Sequence, residues 1–120
     1  MRRHNFKIGL VSSSRQYWID LGITKAGIAD QFDLILSLND SDELRSKPHP
    51  DGYNFAMVEL GTTPTNTFIL EDSNFGIAAA KASGAYTIGF TQHLTPAYEQ
   101  KGADSYAAGT SEVISILEDI

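Results

Sequence analysis

Four short apolar runs recur along the chain, at residues 6–11 (FKIGLV), 33–38 (DLILSL), 67–70 (TFIL) and 86–90 (YTIGF), and polar residues follow each. Runs of this length suit buried strands, since a helix needs ten residues or more to show its period. The stretches between them carry helical spacing. Residues 15–26 place Trp18, Ile19, Leu21 and Ile23 as apolar positions, with Gly22 as a weak point in the middle. Pro50 fits the first turn of a second helix, with Asp51 in that turn, Tyr53, Ala56, Met57 and Leu60 on its apolar side, and Gly61 at its end. Asp72 or Ser73 caps a third helix that runs through IAAAKA to Ser83 and stops at Gly84. A short extended piece at residues 105–107 and a last helix from about Ser111, with Val113, Ile114, Leu117 and Ile120 on one side, complete the pattern. Strand–helix alternation predicts right-handed βαβ units: a Rossmann-like α/β three-layer sandwich with a mostly parallel sheet.

Composition narrows the function. The chain has 120 residues, room for one domain, and its 42% apolar content supports a packed core. A formal charge of −6 argues against nucleic acid as a partner, because that affinity comes from clustered Lys and Arg. With no cysteine, disulfides, thiolate chemistry and Cys-based zinc sites are excluded. No apolar run approaches the roughly 20 residues of a membrane span. The start, MRRHNFKIGLVSSS, has no adequate apolar core or cleavage site for a signal peptide, so a cytoplasmic location is expected.

Ligands of parallel α/β sheets sit beyond the carboxyl ends of the strands. Three polar groups fall there: Ser12 after the first run, Lys47 in the loop after the second, and Glu71–Asp72 after the third. Ser12, Ser13 and Ser14 precede a helix, where a hydroxyl and exposed N–H groups favour an anion; one of them can equally serve as a plain N-cap. Lys47 lies in SKPHP, whose prolines stiffen the loop and can hold the ammonium against a phosphoryl oxygen, although a lysine in a loop is ordinarily just solvated. Two adjacent carboxylates at a strand end are costly unless solvated, capped or bound to a cation. Oxygen-only donors suit Mg²⁺. His49 between two prolines is a turn residue, and His4 and His93 have no companions at metal-ligand spacing.

The segments KIGLVSSSR, SKPHPDGYNFAMVELG and FILEDSNFGIAAAKASGAYTIGF, in this order, closely resemble three signature regions of the haloacid dehalogenase superfamily. More narrowly they resemble its β-phosphoglucomutase-like phosphatases and mutases. The resemblance implies that residues 1–120 are the C-terminal part of such a core domain, without a cap domain. It implies that Ser12 holds a transferring phosphoryl group, that Lys47 neutralises it, and that Asp72 ligates Mg²⁺ with Glu71 assisting directly or through water. Ser73 and Asn74 would shape the metal loop. Ser13, Ser14 and Arg15 would contact a small phosphorylated metabolite.

One departure matters. The family's nucleophile lies in a DxDx[TV] motif on a strand upstream of the serine motif, and only MRRHN precedes the first run here. Asp40-Ser41-Asp42 follows an apolar run but lacks the Thr or Val, and is better taken as a polar turn. In the family that upstream strand lies between the serine strand and the Glu–Asp strand. The chain is therefore expected to have little activity alone and to re-pair its strands, dimerise, or accept a separate N-terminal chain that completes the sheet. Two functions follow: a Mg²⁺-dependent phosphatase or phosphomutase by resemblance, or a phosphate- and Mg²⁺-binding remnant or structural subunit. A phospho-receiver domain would need its acidic pair after the first strand, which is not the order here.

Overall fold

The computed structural model describes residues 6–92 and 97–119. Its strands are β1 (Gly9–Ser12), β2 (Leu34–Ser37), β3 (Phe68–Glu71), β4 (Tyr86–Phe90) and β5 (Ser105–Ala107). Its α-helices are α1 (Gln16–Ala26), α2 (Asp51–Leu60), α3 (Asn74–Ser83) and α4 (Thr110–Asp119). Single 3₁₀ turns at Ala29–Gln31 and Pro64–Asn66 occupy connections read as plain loop. His4 and His93 lie outside the described residues. Gly22 does not interrupt α1, where it sits exposed on the helix surface. Among the described residues, no helix is long and apolar enough to cross a membrane.

Every strand pair is parallel, but the described strands form two sheets: β1–β2 and β3–β4–β5. Direct re-pairing of β1 with β3, one of the outcomes expected from sequence, does not occur. The physical reason is α2, which packs on β1, β2 and α3 together and so holds the two sheets at a fixed separation. The chain moves outward from β1 to β2, then returns to β3 and proceeds to β4 and β5. α2 and α3 pack on each other as well as on the strands, so they share one face of the sheets. This reversal between β1 and β3 is the point where parallel sheets open a crevice at their carboxyl ends.

The core lies under α2 and α3. Tyr53 and Met57 of α2, Ile69 of β3, Ala79 and Ala80 of α3 and Ala85 form one cluster, with Val11 against it. The two alanines are fully buried, and their small size lets α3 lie close on the sheet. Helix ends follow the expected chemistry: Gly61 and Gly84 adopt left-handed backbone after α2 and α3, and the Ser73 hydroxyl accepts the Gly76 N–H at 3.0 Å.

Two glycines make opposite predictions. A Cβ on Gly52 would stand 2.7 Å from Leu38 Cδ2 and 3.0 Å from Val11 Cγ1, both where α2 meets the β1–β2 sheet. Gly52→Ala should therefore lower stability by about 1–3 kcal/mol through overpacking. A Cβ on Gly22 meets nothing within 4 Å, so Gly22→Ala should raise stability by about 0.5–1 kcal/mol. Urea unfolding midpoints of the two variants check both signs.

Candidate phosphate and metal site

The carboxyl ends of β1 and β3, the loop after β2 and the first turns of α2 converge on one place. Lys47 Nζ donates to the Val11 carbonyl at 3.2 Å and to Glu71 Oε2 at 2.6 Å, and lies 5.3 Å from the centre of the Tyr53 ring. The Tyr53 hydroxyl donates to the same carboxylate oxygen. Lys47 and Glu71 are both largely withdrawn from water, at 14% and 7% side-chain exposure, so this is a desolvated pair, unlike a surface ion pair. On its other side the Glu71 carboxylate packs where a Cβ of Gly76 would be, so the glycine of EDSNFG is sterically required.

The loop that carries Lys47 is itself clamped. Arg45 donates from its backbone N–H, Nε and Nη2 to the Asp51 carboxylate at 2.9–3.0 Å, closing the loop onto the start of α2. These bonds hold the Asp51 carboxyl down at about 2. His49 is an exposed turn residue, its N–H donating to the Ser46 carbonyl at 3.0 Å.

Ser12 Oγ accepts the Ser14 N–H at 3.1 Å, which leaves its own proton to donate. Ser13, Ser14 and Arg15 are exposed beside it. The N-terminus of α1 is not open as the sequence suggested, because Asp40 Oδ2 accepts the Gln16 N–H at 2.7 Å. Asp40 therefore supports the helix from the next loop, and the polar-turn reading of residues 40–42 gains a specific task. An anion near β1 would meet the serines and Lys47, with one helix donor already taken.

Asp72 is exposed at the mouth, and Lys47, Ser12, Ser13, Ser14, Glu71 and Asp72 all line a single cavity. Arg15 is not among its lining residues. Among the described residues, no group of three or more His, Cys, Asp or Glu side chains converges on one point. Such a donor set suits a hydrated Mg²⁺, which keeps several waters and needs only one or two carboxylates with phosphate oxygens. Of the two carboxylates, Asp72 is exposed at the mouth, whereas Glu71 is buried and tied to Lys47 and Tyr53.

The acidic turn is held from behind by Asn74, which the resemblance implied, and by Gln100, which has no obvious signal in the sequence. Gln100 Nε2 donates to the Asp72 and Phe90 carbonyls at 2.9 and 2.8 Å. Asn74 takes the Lys101 N–H on Oδ1 and gives Nδ2 to the Glu99 carbonyl, while its own N–H reaches the Tyr98 hydroxyl at 2.7 Å. Tyr53 was legible only as an apolar helix position. Its bond to Glu71 depends on how α2 docks on β3, which no local pattern shows.

Burial pushes the Glu71 carboxyl above its ordinary 4.5, with Lys47 opposing. The folded chain thus holds this proton more tightly than the unfolded chain does. The stability it contributes is complete below about pH 4.5 and falls as pH rises through the raised folded value. Glu71→Gln fixes the neutral form. The stability of the variant relative to the parent should therefore improve as pH increases across that window, read from urea midpoints; a pH-independent difference would contradict it.

Comparison with known proteins bears on the fold and the family. A family model described as haloacid dehalogenase-like hydrolase matches residues 1–90. The chain is 38% identical over 78 residues to YhcW of Bacillus subtilis (strain 168), covering 65% of this chain and 34% of that protein. It is 31% identical over 84 residues to validoxylamine A 7'-phosphate phosphatase of Streptomyces hygroscopicus subsp. limoneus, covering 70% and 38%. Its structure superposes on a HAD family hydrolase from Deinococcus radiodurans R1, solved with phosphate and sodium, at a TM-score of 0.83 and 26% identity, covering 98% of this chain and 54% of that one. The chain spans little more than a third of the first of these curated relatives and about half of the solved structure. With three quarters of its length matched by the family model, the chain belongs to the haloacid dehalogenase-like hydrolase family.

Proposed function

We propose that the chain carries the phosphate-holding and Mg²⁺-holding part of a phosphatase or phosphomutase site for small phosphorylated metabolites. The observation that carries this is the convergence of Ser12, Lys47 and Asp72 at the reversal point between β1 and β3. An ammonium has three donors. Two from Lys47 go to Val11 and Glu71, and the third is available to a phosphoryl oxygen. Glu71 holds the ammonium in place through its 2.6 Å bond, and the Tyr53 ring lies beside it. The Ser12 hydroxyl donates to a second phosphoryl oxygen while the Ser14 N–H fixes its rotamer. Preorganised donors of this kind stabilise charge as it develops on the transferring group. Mg²⁺, when bound, would supply further charge neutralisation at the phosphate. Ser13, Ser14 and Arg15, exposed beside Ser12, are the residues we assign to the rest of the metabolite.

A phosphoryl acceptor is the component these residues do not supply. Glu71 is engaged by Lys47 and Tyr53, and Asp40 is engaged by Gln16 outside the cavity. The chain by itself should therefore bind phosphate and Mg²⁺ but hydrolyse phosphomonoesters at no more than a background rate.

Isothermal titration of the purified chain tests the reading. Mg²⁺ should bind with measurable heat, more tightly in the presence of inorganic phosphate, and Asp72→Asn should abolish the Mg²⁺ signal. Ser12→Ala or Lys47→Met should weaken phosphate binding by about tenfold, the loss of one charge-assisted hydrogen bond. Equal Mg²⁺ heats for Asp72→Asn and the parent, or p-nitrophenyl phosphate hydrolysis that survives Asp40→Ala and Asp42→Ala, would overturn it.

A further inference from the structure

The ladder between β3 and β4 ends with Glu71 opposite Gly89. Beyond it the chain turns toward α3 and the ladder cannot continue. One side-chain donor bridges the next two carbonyls instead: Gln100 Nε2 lies 2.9 Å from that of Asp72 and 2.8 Å from that of Phe90. The amide acts as one more rung across the carboxyl ends of the two strands. Gln100 is itself fixed on both sides, since the Glu99 carbonyl accepts from Asn74 Nδ2 at 2.9 Å and the Lys101 N–H donates to Asn74 Oδ1 at 2.8 Å. Asp72 thus stands between Glu71, the last ladder residue, and its own carbonyl held by Gln100. Its backbone direction is set from both ends, and only two side-chain torsions remain to aim the carboxylate.

This placement opposes stability in two ways. Gln100 Oε1 is buried and finds no hydrogen-bond partner among the described residues. A buried acceptor without a donor is a net cost to folding. The same oxygen also needs a glycine beside it. A Cβ on Gly89 would stand 2.5 Å from Oε1 and 2.8 Å from Tyr106 Cδ1, and a glycine within a buried strand weakens it. A methionine at position 100 would fill similar space with no orphaned oxygen, so stability alone does not account for the glutamine. Nor does Gln100 line the cavity, so it reaches the site only through the residues it holds.

We propose that Gln100 is a positioning residue for Asp72: its bridge fixes the backbone on which that carboxylate stands, and with it the affinity of the site for Mg²⁺. This role presupposes the Mg²⁺ reading of Asp72 given above. Groups that orient a metal ligand from behind typically change metal affinity by about 10–100-fold when removed. The phosphate donors Ser12 and Lys47 stand on β1 and the loop after β2, away from the bridge, and are untouched by its loss.

Isothermal titration of the full chain with MgCl₂ tests this, comparing the parent with Gln100→Met and Gln100→Leu. Phosphate titrations and urea unfolding, both in EDTA, run beside it. The Mg²⁺ Kd is expected to rise by about tenfold or more in both variants. Phosphate affinity without metal should stay at the parent value, and the urea midpoint should match or exceed the parent's. A parent that binds Mg²⁺ and a variant that binds it equally well would overturn this role alone. A parent that gives no Mg²⁺ heat would overturn the metal reading and this role with it. Parallel loss of Mg²⁺ and phosphate affinity, or a lowered midpoint in both variants, would make Gln100 merely structural and overturn it too.

Discussion

The Lys47–Glu71 pair is the contact on which the arrangement at the carboxyl ends depends. It joins four elements: the loop after β2, the end of β1 through the Val11 carbonyl, the end of β3, and α2 through the Tyr53 hydroxyl. A buried ion pair is a weak source of net stability, because desolvation cancels much of the attraction. Removing one partner is another matter and costs about 3–5 kcal/mol, since the remaining charge is left unpaired. The pair therefore acts as a positional constraint. With α2 lying across both sheets, it holds β1 and β3 apart and fixes the mouth between them.

Function follows from that constraint. The charge that would meet a phosphate is aimed by a carboxylate and a phenol, and the hydroxyl beside it is oriented by the Ser14 N–H. Asp72 lies one residue beyond Glu71, on the solvent side, and the two adjacent carboxylates thus have different tasks because their surroundings differ. One is buried and tied to a lysine; the other is open to water, and is the one proposed here for a hydrated cation. The strap formed by Asn74 and Gln100 keeps the turn between them from opening.

Much of this was legible in the sequence where the signal is local. The ranges of β4 and β5 agree with the apolar run YTIGF and the extended piece SYA, and the ends of α2 and α3 fall at Gly61 and Gly84 as glycine chemistry requires. The order Ser12, Lys47, Glu71–Asp72 puts these residues at the carboxyl ends of strands, and the structure brings them to one cavity. What could not be read were the contacts between elements distant in the chain. Asp40 capping α1, Arg45 clamping Asp51 and Gln100 holding the Asp72 carbonyl each join residues whose neighbours give no periodic or motif signal. The choice between closing the two sheets together and keeping them apart also lay beyond the sequence, because it depends on how α2 seats on both at once.

Amide hydrogen exchange of the chain in dilute solution, resolved by residue, tests the separation of the two sheets most directly. Alternation is expected: the Val11 and Leu70 amides, which face the cavity, exchange fast, while their neighbours Ser12 and Glu71, bonded into the ladders with β2 and β4, exchange slowly. Equal protection of Val11 and Leu70 with those neighbours would show the edges paired in solution and would contradict it.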